Sequence, residues 1–158
     1  MVVIRKAEPS DRAILVEIGV HAWTQHIFSY EPETAGMRAR ARRAFEDLVD
    51  DHLDTVTVGE VEAAVRGWGA RERGDEFVTD LWVRPDWQRR GVGSALLSGM
   101  IADVRAAVFG RVCLETHMRN QCAVRFYQRH GFKIVSRSWE LSTSLGRDIE
   151  RARLERRI

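Results

Sequence analysis

The stretch EFVTDLWVRPDWQRRGVGSALLSGMIADVRAAV, residues 76–108, decides the fold that we expect for this chain. Residues 76–83 are rich in β-branched and aromatic side chains and are followed by Pro85, which is typical of a strand that ends at a turn. After residue 94 apolar side chains recur at helical spacing, namely at Leu97, Ile101, Val104 and Val108. The pattern therefore predicts a strand, a short loop and an amphipathic helix.

The loop between this strand and helix reads Gln88-Arg89-Arg90-Gly91-Val92-Gly93. Its two glycines allow the backbone to approach a bulky group closely. The first turn of the helix leaves N–H groups unpaired, with a partial positive charge behind them, and the two arginines add further donors. These features predict a site for a pyrophosphate. The alternative is that the glycines only shape a turn between strand and helix.

Two other phosphate-binding motifs do not match this loop. The dinucleotide-binding pattern Gly-x-Gly-x-x-Gly needs a third glycine at position 96, where the chain has Leu96. A phosphate-binding loop of the Walker type ends in Gly-Lys-Ser/Thr, which does not follow here.

A second segment, Asn-Gln-Cys-Ala-Val-Arg-Phe-Tyr-Gln-Arg-His-Gly-Phe at residues 120–132, lies downstream of the loop. In this order, the loop and this segment resemble the two signatures of the Gcn5-related N-acetyltransferases (the GNAT superfamily). The resemblance is sharp from about residue 60 to about residue 135. It implies one N-acetyltransferase domain over residues 1–158, of the α/β class, with a mixed, mostly antiparallel sheet. In that fold the central parallel strands splay apart and helices flank the sheet.

The resemblance also implies that acetyl-CoA is the cosubstrate. Backbone groups of the central strand are expected to bond the pantetheine arm, and those of the loop to bond the pyrophosphate. The implied cofactor-binding residues are Leu81, Trp82, Val83, Arg89, Arg90, Gly91, Val92, Gly93, Ser94, Asn120 and Tyr127.

Two residues are the expected catalytic groups. Tyr127 is the candidate acid that protonates the sulfur of CoA, and the alternative is a core aromatic residue. Glu115 is the candidate base, directly or through water, because its position resembles that of a glutamate in the ribosomal-protein N-terminal acetyltransferases. The alternative for Glu115 is a surface carboxylate or a partner of Arg111. Asp80 is a weaker candidate, and His117 is expected to be a surface residue.

The sequence defines the acceptor site less well than the acetyl-CoA site. In the GNAT family the first two helices and their loop contribute to the acceptor cleft, which here implies Trp23, His26, Phe28 and Tyr30. We expect transfer of acetyl to a primary amine by direct attack in a ternary complex. The alternatives are a protein N-terminal or lysine acetyltransferase and a non-catalytic acyl-CoA-binding module.

Charge, hydropathy and residue spacing bear on nucleic-acid, membrane and metal binding. The 25 basic and 23 acidic residues nearly cancel, and no nucleic-acid motif is present, so we expect no nucleic-acid partner. No apolar run has the length of a membrane span and no signal-peptide pattern is found, so no membrane partner and a cytoplasmic location are expected. The five histidines and two cysteines lack metal-ligand spacing. Many GNAT proteins dimerise through their last strands, and residues 148–158 alternate enough to permit a homodimer.

The remaining elements follow from local patterns. The chain predicts the order β-α-α-β-β-β-α-β-α-β-β, with a first helix that ends near Trp23 and a second that spans residues 34–52. A turn near Gly59-Glu60 is expected to join the second and third strands. A final hairpin is expected from strands at 132–137 and 148–156.

Overall fold

The computed structural model describes residues 1–158 and has the predicted order of elements. The helices are α1 (Arg12–Ile27), α2 (Met37–His52), α3 (Val92–Ala106) and α4 (Gln121–Arg129). The strands are β1 (Val3–Lys6), β2 (Val56–Val61), β3 (Ala64–Arg71), β4 (Phe77–Val83), β5 (Arg111–His117), β6 (Lys133–Ser142) and β7 (Arg147–Arg157). No helix is long and apolar enough to cross a membrane.

The strands form one mixed sheet in the order β1-β2-β3-β4-β5-β7-β6. All neighbours are antiparallel except β4 and β5, which run parallel and pair only through Phe77–Cys113 and Val78–Leu114. Beyond these pairs the two strands diverge. A register shift between Ala70 and Arg71 disturbs the pairing of β3 with β4 at Thr79, and such a bulge bends the strand where the divergence begins. The predicted splay is confirmed.

Two apolar cores lie on opposite faces of the sheet. On one face α1 and α2 pack around Trp68, which is fully buried and donates its indole N–H to the Leu15 carbonyl over 2.9 Å. On the other face α3 and α4 pack on β5 and β7, with Leu97 and Tyr127 in this core. The approach of α3 is close, because a Cβ atom at Gly67 would lie 3.0 Å from Val92 Cγ1 and 2.9 Å from the Trp82 carbonyl oxygen. Both layers therefore hold β4 from opposite sides.

Several predicted boundaries are corrected by the structure. The β2–β3 turn lies at Glu62 and Ala63, both with positive φ, whereas Gly59 is an interior residue of β2. The first helix continues past Trp23 to Ile27, and the second begins only at Met37. The final hairpin is longer than predicted, because β6 extends to Ser142 and β7 begins at Arg147.

The last two strands form the end of the sheet that bears on the expected homodimer. Strand β7, which includes residues 148–157, pairs with β5 on one side and β6 on the other, so both of its edges are occupied. The free edge at this end of the sheet belongs to β6. Three large apolar side chains are exposed on it, namely Val135, Trp139 and Leu141.

Candidate functional site

The loop after β4 presents a row of free backbone donors. The N–H groups from Arg89 to Ser94 donate to no carbonyl or side-chain oxygen of the chain, and the first hydrogen bond of α3 runs from Ala95 N to Gly91 O over 3.0 Å. Gly91 has φ +88°, a conformation that favours glycine, and it directs the chain into the helix. Free N–H groups at the start of a helix can bind an anion, so this geometry is compatible with the predicted pyrophosphate site.

Side chains around Trp87 fix the shape of the loop. The guanidinium groups of Arg66 and Arg90 lie over the Trp87 ring, 4.3 and 4.9 Å from its centroid. The Gln88 amide donates to the Val83 carbonyl over 3.2 Å, which ties the loop to the end of β4. The Arg90 guanidinium is therefore engaged with the tryptophan, whereas Arg89 lines the cleft described next.

A cleft of about 610 Å³ opens where β4 and β5 diverge. One wall is the end of β4 and the other wall is α4. The floor is the loop of residues 88–93, which we call the anion loop. The lining residues are Ala22, His26, Leu81, Trp82, Val83, Gln88, Arg89, Gly91, Gly93, Ser94, Asn120, Cys122, Ala123, Arg125, Phe126, Tyr127, Arg129 and His130. Most of the predicted cofactor-binding residues thus share one cleft, and its volume is within the range of small-ligand sites. Arg90 and Val92 are the two exceptions, because the Arg90 guanidinium lies over Trp87 and the Val92 side chain is buried under the loop.

Tyr127 projects from α4 into this cleft. Its ring packs edge-to-face on Phe132 and Phe126, with centroid separations of 5.7 and 5.2 Å, and its hydroxyl has no hydrogen-bond partner in the chain. Burial raises the pKa of the Tyr127 phenol far above its usual range, and the negative charge of Asp80 raises it further. The phenol therefore stays protonated at neutral pH and is free to donate.

The N-terminus of α4 is fixed by Asn120. Its Oδ1 atom accepts a hydrogen bond from Ala123 N over 3.2 Å, so Asn120 is the helix N-cap, and its amide N–H groups remain free beside the cleft. At the other end of α4, His130 Nδ1 donates to the Phe126 carbonyl over 2.8 Å, which leaves Nε2 to accept from the Ser94 hydroxyl at 3.0 Å. This contact joins α4 to the start of α3.

Glu115 does not line the cleft. It lies on β5 opposite Arg153, whose Nη1 atom is 3.9 Å from its carboxylate, and its side chain is 29% exposed. The alternative pairing with Arg111 is absent, because Arg111 contacts Glu76 at 2.6 Å instead. The structure thus leaves Glu115 at the mouth of the diverging strands.

The four predicted acceptor residues separate into two groups. His26 lines the cleft, 3.4 Å from the Gln88 amide, and burial lowers the pKa of its imidazole. Trp23, Phe28 and Tyr30 do not line it. Trp23 and Phe28 pack edge-to-face with centroids 6.1 Å apart, and both contact a small core around Ile27.

A buried ionic cluster holds the α1–α2 loop against β5, and no local sequence pattern indicated it. Glu31, with a side chain 1% exposed, accepts from His117 Nε2 at 3.1 Å, from Arg119 at 3.4 Å and from Arg147. The prediction that His117 is a surface residue is wrong, since its side chain is 9% exposed. Tyr30 packs on the same imidazole, with centroids 4.9 Å apart.

Asp80, the weaker candidate, does not line the cleft. Its side chain lies on the face of β4 opposite to that of Leu81, because Leu81 packs against the α3–α4 core while Asp80 pairs with Ala70 of the α1–α2 core. The Asp80 Oδ1 atom accepts from the indole of Trp82 over 2.9 Å. Burial raises the pKa of the Asp80 carboxyl, against the effect of this hydrogen bond.

No group of three or more histidine, cysteine, aspartate or glutamate side chains is arranged to hold a metal ion.

Comparisons with known proteins bear on this site. The family model described as "Acetyltransferase (GNAT) domain" matches residues 52–134, which include the β4 strand, the anion loop and α4. The peptidyl-lysine N-acetyltransferase YiaC of Escherichia coli is 35% identical over 44% of this chain, and the match spans only 44% of that protein's length. The L-amino acid N-acyltransferase MnaT of Escherichia coli is 26% identical over 91% of this chain and 87% of its own length.

Solved structures share the whole fold. The PaiA N-acetyltransferase of Thermoplasma acidophilum, solved in complex with coenzyme A, superposes with a TM-score of 0.75 over 100% of this chain and 99% of that chain, at 17% identity. The splayed sheet, the anion loop and the matched family model all indicate the same protein family. The chain belongs to the GNAT acetyltransferase family, whose members use acetyl-CoA.

Proposed function

We propose that this chain is an N-acetyltransferase that passes the acetyl group of acetyl-CoA to a primary amine in a direct ternary complex. The observation that carries the proposal is the cleft between β4 and β5, which joins free N–H donors at the start of α3 to a protonated, unpartnered phenol on α4. A site that only held an anion would not need the second feature. The family membership supports the same reaction class.

In the proposed binding mode, each part of acetyl-CoA contacts a different group of cleft residues. The N–H groups from Arg89 to Ser94 take the pyrophosphate, and the Arg89 side chain adds a charged donor. Backbone groups of Leu81 and Val83, on the part of β4 that has left β5, take the pantetheine arm as an added strand. The free amide of Asn120 donates to the same arm. Acetyl-CoA supplies an activated thioester to this site.

The proposed chemistry needs a proton donor for the sulfur and an acceptor for the protons of the amine. Tyr127 donates to the sulfur as the C–S bond breaks, because its raised pKa keeps the proton in place until the thiolate forms. Glu115, at the mouth of the diverging strands, passes the proton of the amine to solvent. Holding amine and thioester together removes the need for a covalent intermediate with the protein.

For the acceptor we propose a chemical class, a primary amine. MnaT, by its name, acts on L-amino acids, and YiaC acts on peptidyl-lysine, so both small amines and protein amines have support among relatives. His26 is the predicted acceptor residue that reaches the cleft, and Trp23, Phe28 and Tyr30 shape the α1–α2 loop beside it. A small primary amine is our first choice because MnaT matches over nearly the whole chain.

A second copy of the chain is the proposed macromolecular partner. Strand β6 is a free sheet edge with exposed Trp139 and Leu141, and an unprotected apolar edge favours strand pairing. Light scattering on the purified chain tests this, since a dimer that Trp139→Arg converts to a monomer is expected. A monomer at all concentrations contradicts it.

An assay of amine-dependent thiol release tests the proposed reaction. The chain is incubated with acetyl-CoA and an α-amino acid, a polyamine or a peptide with a free N-terminus, and free CoA is followed with a thiol reagent. We expect release that requires one of these amines and an acetylated product of the matching mass. Tight acetyl-CoA binding with no release for any amine favours the non-catalytic binding module instead.

A further inference from the structure

A histidine and a serine meet where the end of α4 approaches the start of α3. The His130 Nδ1 atom donates to the Phe126 carbonyl over 2.8 Å, and a carbonyl can only accept, so the proton of the neutral ring lies on Nδ1. The lone pair of Nε2 therefore accepts the hydroxyl hydrogen of Ser94, 3.0 Å away. The Phe126 ring packs on the imidazole with centroids 4.4 Å apart, which helps to hold this orientation. Both His130 and Ser94 line the cleft.

In this state the Ser94 hydroxyl has the wrong polarity for an anionic ligand. Its hydrogen is engaged with the imidazole, so only the lone pairs of its oxygen remain for a ligand. Ser94 is also the third residue of α3, and its backbone N–H is one of the free donors proposed to bind the pyrophosphate. Lone pairs repel a phosphate oxygen, whereas a donated hydrogen attracts it. The neutral pair therefore works against the N–H groups around it.

One proton on the imidazole reverses this polarity. When Nε2 of His130 is protonated, it becomes a donor to the Ser94 oxygen, and the hydroxyl hydrogen is released to bond a phosphate oxygen. The imidazolium also adds a positive charge beside the same site. Histidine is the side chain that ordinarily changes its charge near neutral pH, so this change needs no unusual conditions.

The charged side chains around the imidazole of His130 are arginines. Arg129 precedes it on α4, and Arg156 of β7 donates to its backbone carbonyl over 3.0 Å. Arg89 and Arg125 line the same cleft, and no aspartate or glutamate does. The other titratable groups that line the cleft are His26, Cys122 and the protonated Tyr127. An imidazolium at His130 therefore obtains its counter-charge from an anionic ligand and not from the chain.

We propose that acetyl-CoA binding is coupled to the uptake of a proton by His130, which turns the Ser94 hydroxyl toward the pyrophosphate. This inference rests on the proposed function and makes His130 a positioning residue for the cosubstrate. The proton comes from solvent and binds to Nε2, and no covalent bond of the ligand forms or breaks. At mildly acidic pH the pair is already set to donate, and at higher pH binding must draw the proton from solvent. The affinity for acetyl-CoA therefore falls as the pH rises.

Calorimetric titration with acetyl-CoA in buffers of different ionisation enthalpy counts this proton. The slope of the measured binding enthalpy against the ionisation enthalpy of the buffer is the number of protons taken up per site. His130→Gln is the test variant, because glutamine takes up no proton near neutral pH while its amide can still bond the Ser94 oxygen. His52→Gln, which changes an exposed imidazole at the end of α2, is the matched control. The 3′-phosphate of the ligand also titrates, at about pH 6, and it contributes equally to every variant.

At about pH 7.5 we expect the wild-type chain and His52→Gln to take up about 0.5–1 proton more than His130→Gln. Between about pH 6.5 and about pH 8 the Kd of the wild-type chain should rise by about 5–30-fold relative to that of His130→Gln. Ser94→Ala should also take up less than the wild-type chain, because the imidazolium loses the oxygen to which it donates. Uptake by Ser94→Ala equal to that of the wild-type chain overturns the serine step.

A histidine that only clamps α4 to α3 gives a different result. It predicts a lower Tm for His130→Gln, with the proton count and the pH dependence of the wild-type chain, and that outcome overturns the inference. Binding of acetyl-CoA with equal proton uptake by the wild-type chain and His130→Gln overturns this inference alone. No binding of acetyl-CoA to the wild-type chain overturns the proposed function together with it.

Discussion

The most informative perturbation of the anion loop is Gly91→Ala. Gly91 has φ +88° and a Cβ atom added there would meet no atom of the chain within 4 Å, so the cost in the free protein is one of backbone conformation. An alanine in the left-handed region costs roughly 1–2 kcal/mol. In a domain of this size that corresponds to a fall in Tm of about 2–8 °C.

The turn between β3 and β4 supplies a matched control for this strain. Gly74 has φ +70°, also lies in open space, and is remote from the cleft. Gly74→Ala should therefore lose a similar amount of stability. The effect on CoA binding should differ, because Gly91 aligns the N–H groups that are proposed to bind the pyrophosphate. Loss of one hydrogen bond to a charged group costs about 1.5–3 kcal/mol, or roughly 10–150-fold in Kd.

Two measurements on the same preparations complete this experiment, namely melting curves without ligand and calorimetric titration with CoA. We expect both variants to melt below the wild-type chain and only Gly91→Ala to bind CoA more weakly. If Gly91→Ala binds CoA as tightly as the wild-type chain while its Tm falls like that of Gly74→Ala, the loop is only a turn between strand and helix. The pyrophosphate site would then lie elsewhere.

Three further predictions concern other parts of the chain. Tyr127→Phe should lower kcat by about 10²–10⁴-fold with unchanged CoA affinity, measured by thiol release and calorimetry, whereas equal kcat would remove Tyr127 as the acid. Arg5→Ala should lower the free energy of unfolding in urea by about 1–3 kcal/mol, because Arg5 bonds Asp11 at 2.8 Å and Glu60 at 2.7 Å. Arg5 holds the pKa of the Asp11 carboxyl below its usual range, so this stabilisation is present at neutral pH and lost on acidification, and a difference independent of pH would contradict it. Trp139→Arg should leave kcat unchanged while it abolishes self-association.

The elements of the fold were predictable where one local pattern dominates. Residues 77–83 and 92–106 form the expected strand and helix, because β-branched residues, a proline and a helical apolar period agree there. The β2–β3 turn was misplaced because Gly59 looked like a turn residue. Gly59 is instead an interior strand residue, where a Cβ atom would make ordinary 3.4 Å contacts with Leu96 and Val92 of α3 and φ is not positive. A glycine in the sequence therefore does not by itself mark a turn.

The part of the site that is built from sequence motifs was predictable. The part that depends on contacts between residues distant in the sequence was not. The loop residues and Tyr127 follow fixed spacings, so one stretch of sequence brings them together. Glu31 and Arg147 meet across 116 positions of the chain, and no local pattern encodes that pair.

Calorimetric titration of the unmodified chain with acetyl-CoA, with NAD as the comparison ligand, tests the central claim most directly. A cleft that binds the pyrophosphate, the pantetheine arm and the thioester together predicts one site per chain, with a Kd of about 1 μM (about −8 kcal/mol) and no heat from NAD. No binding of acetyl-CoA at ~1 mM, an affinity no better than about −4 kcal/mol, would contradict the assignment of this cleft.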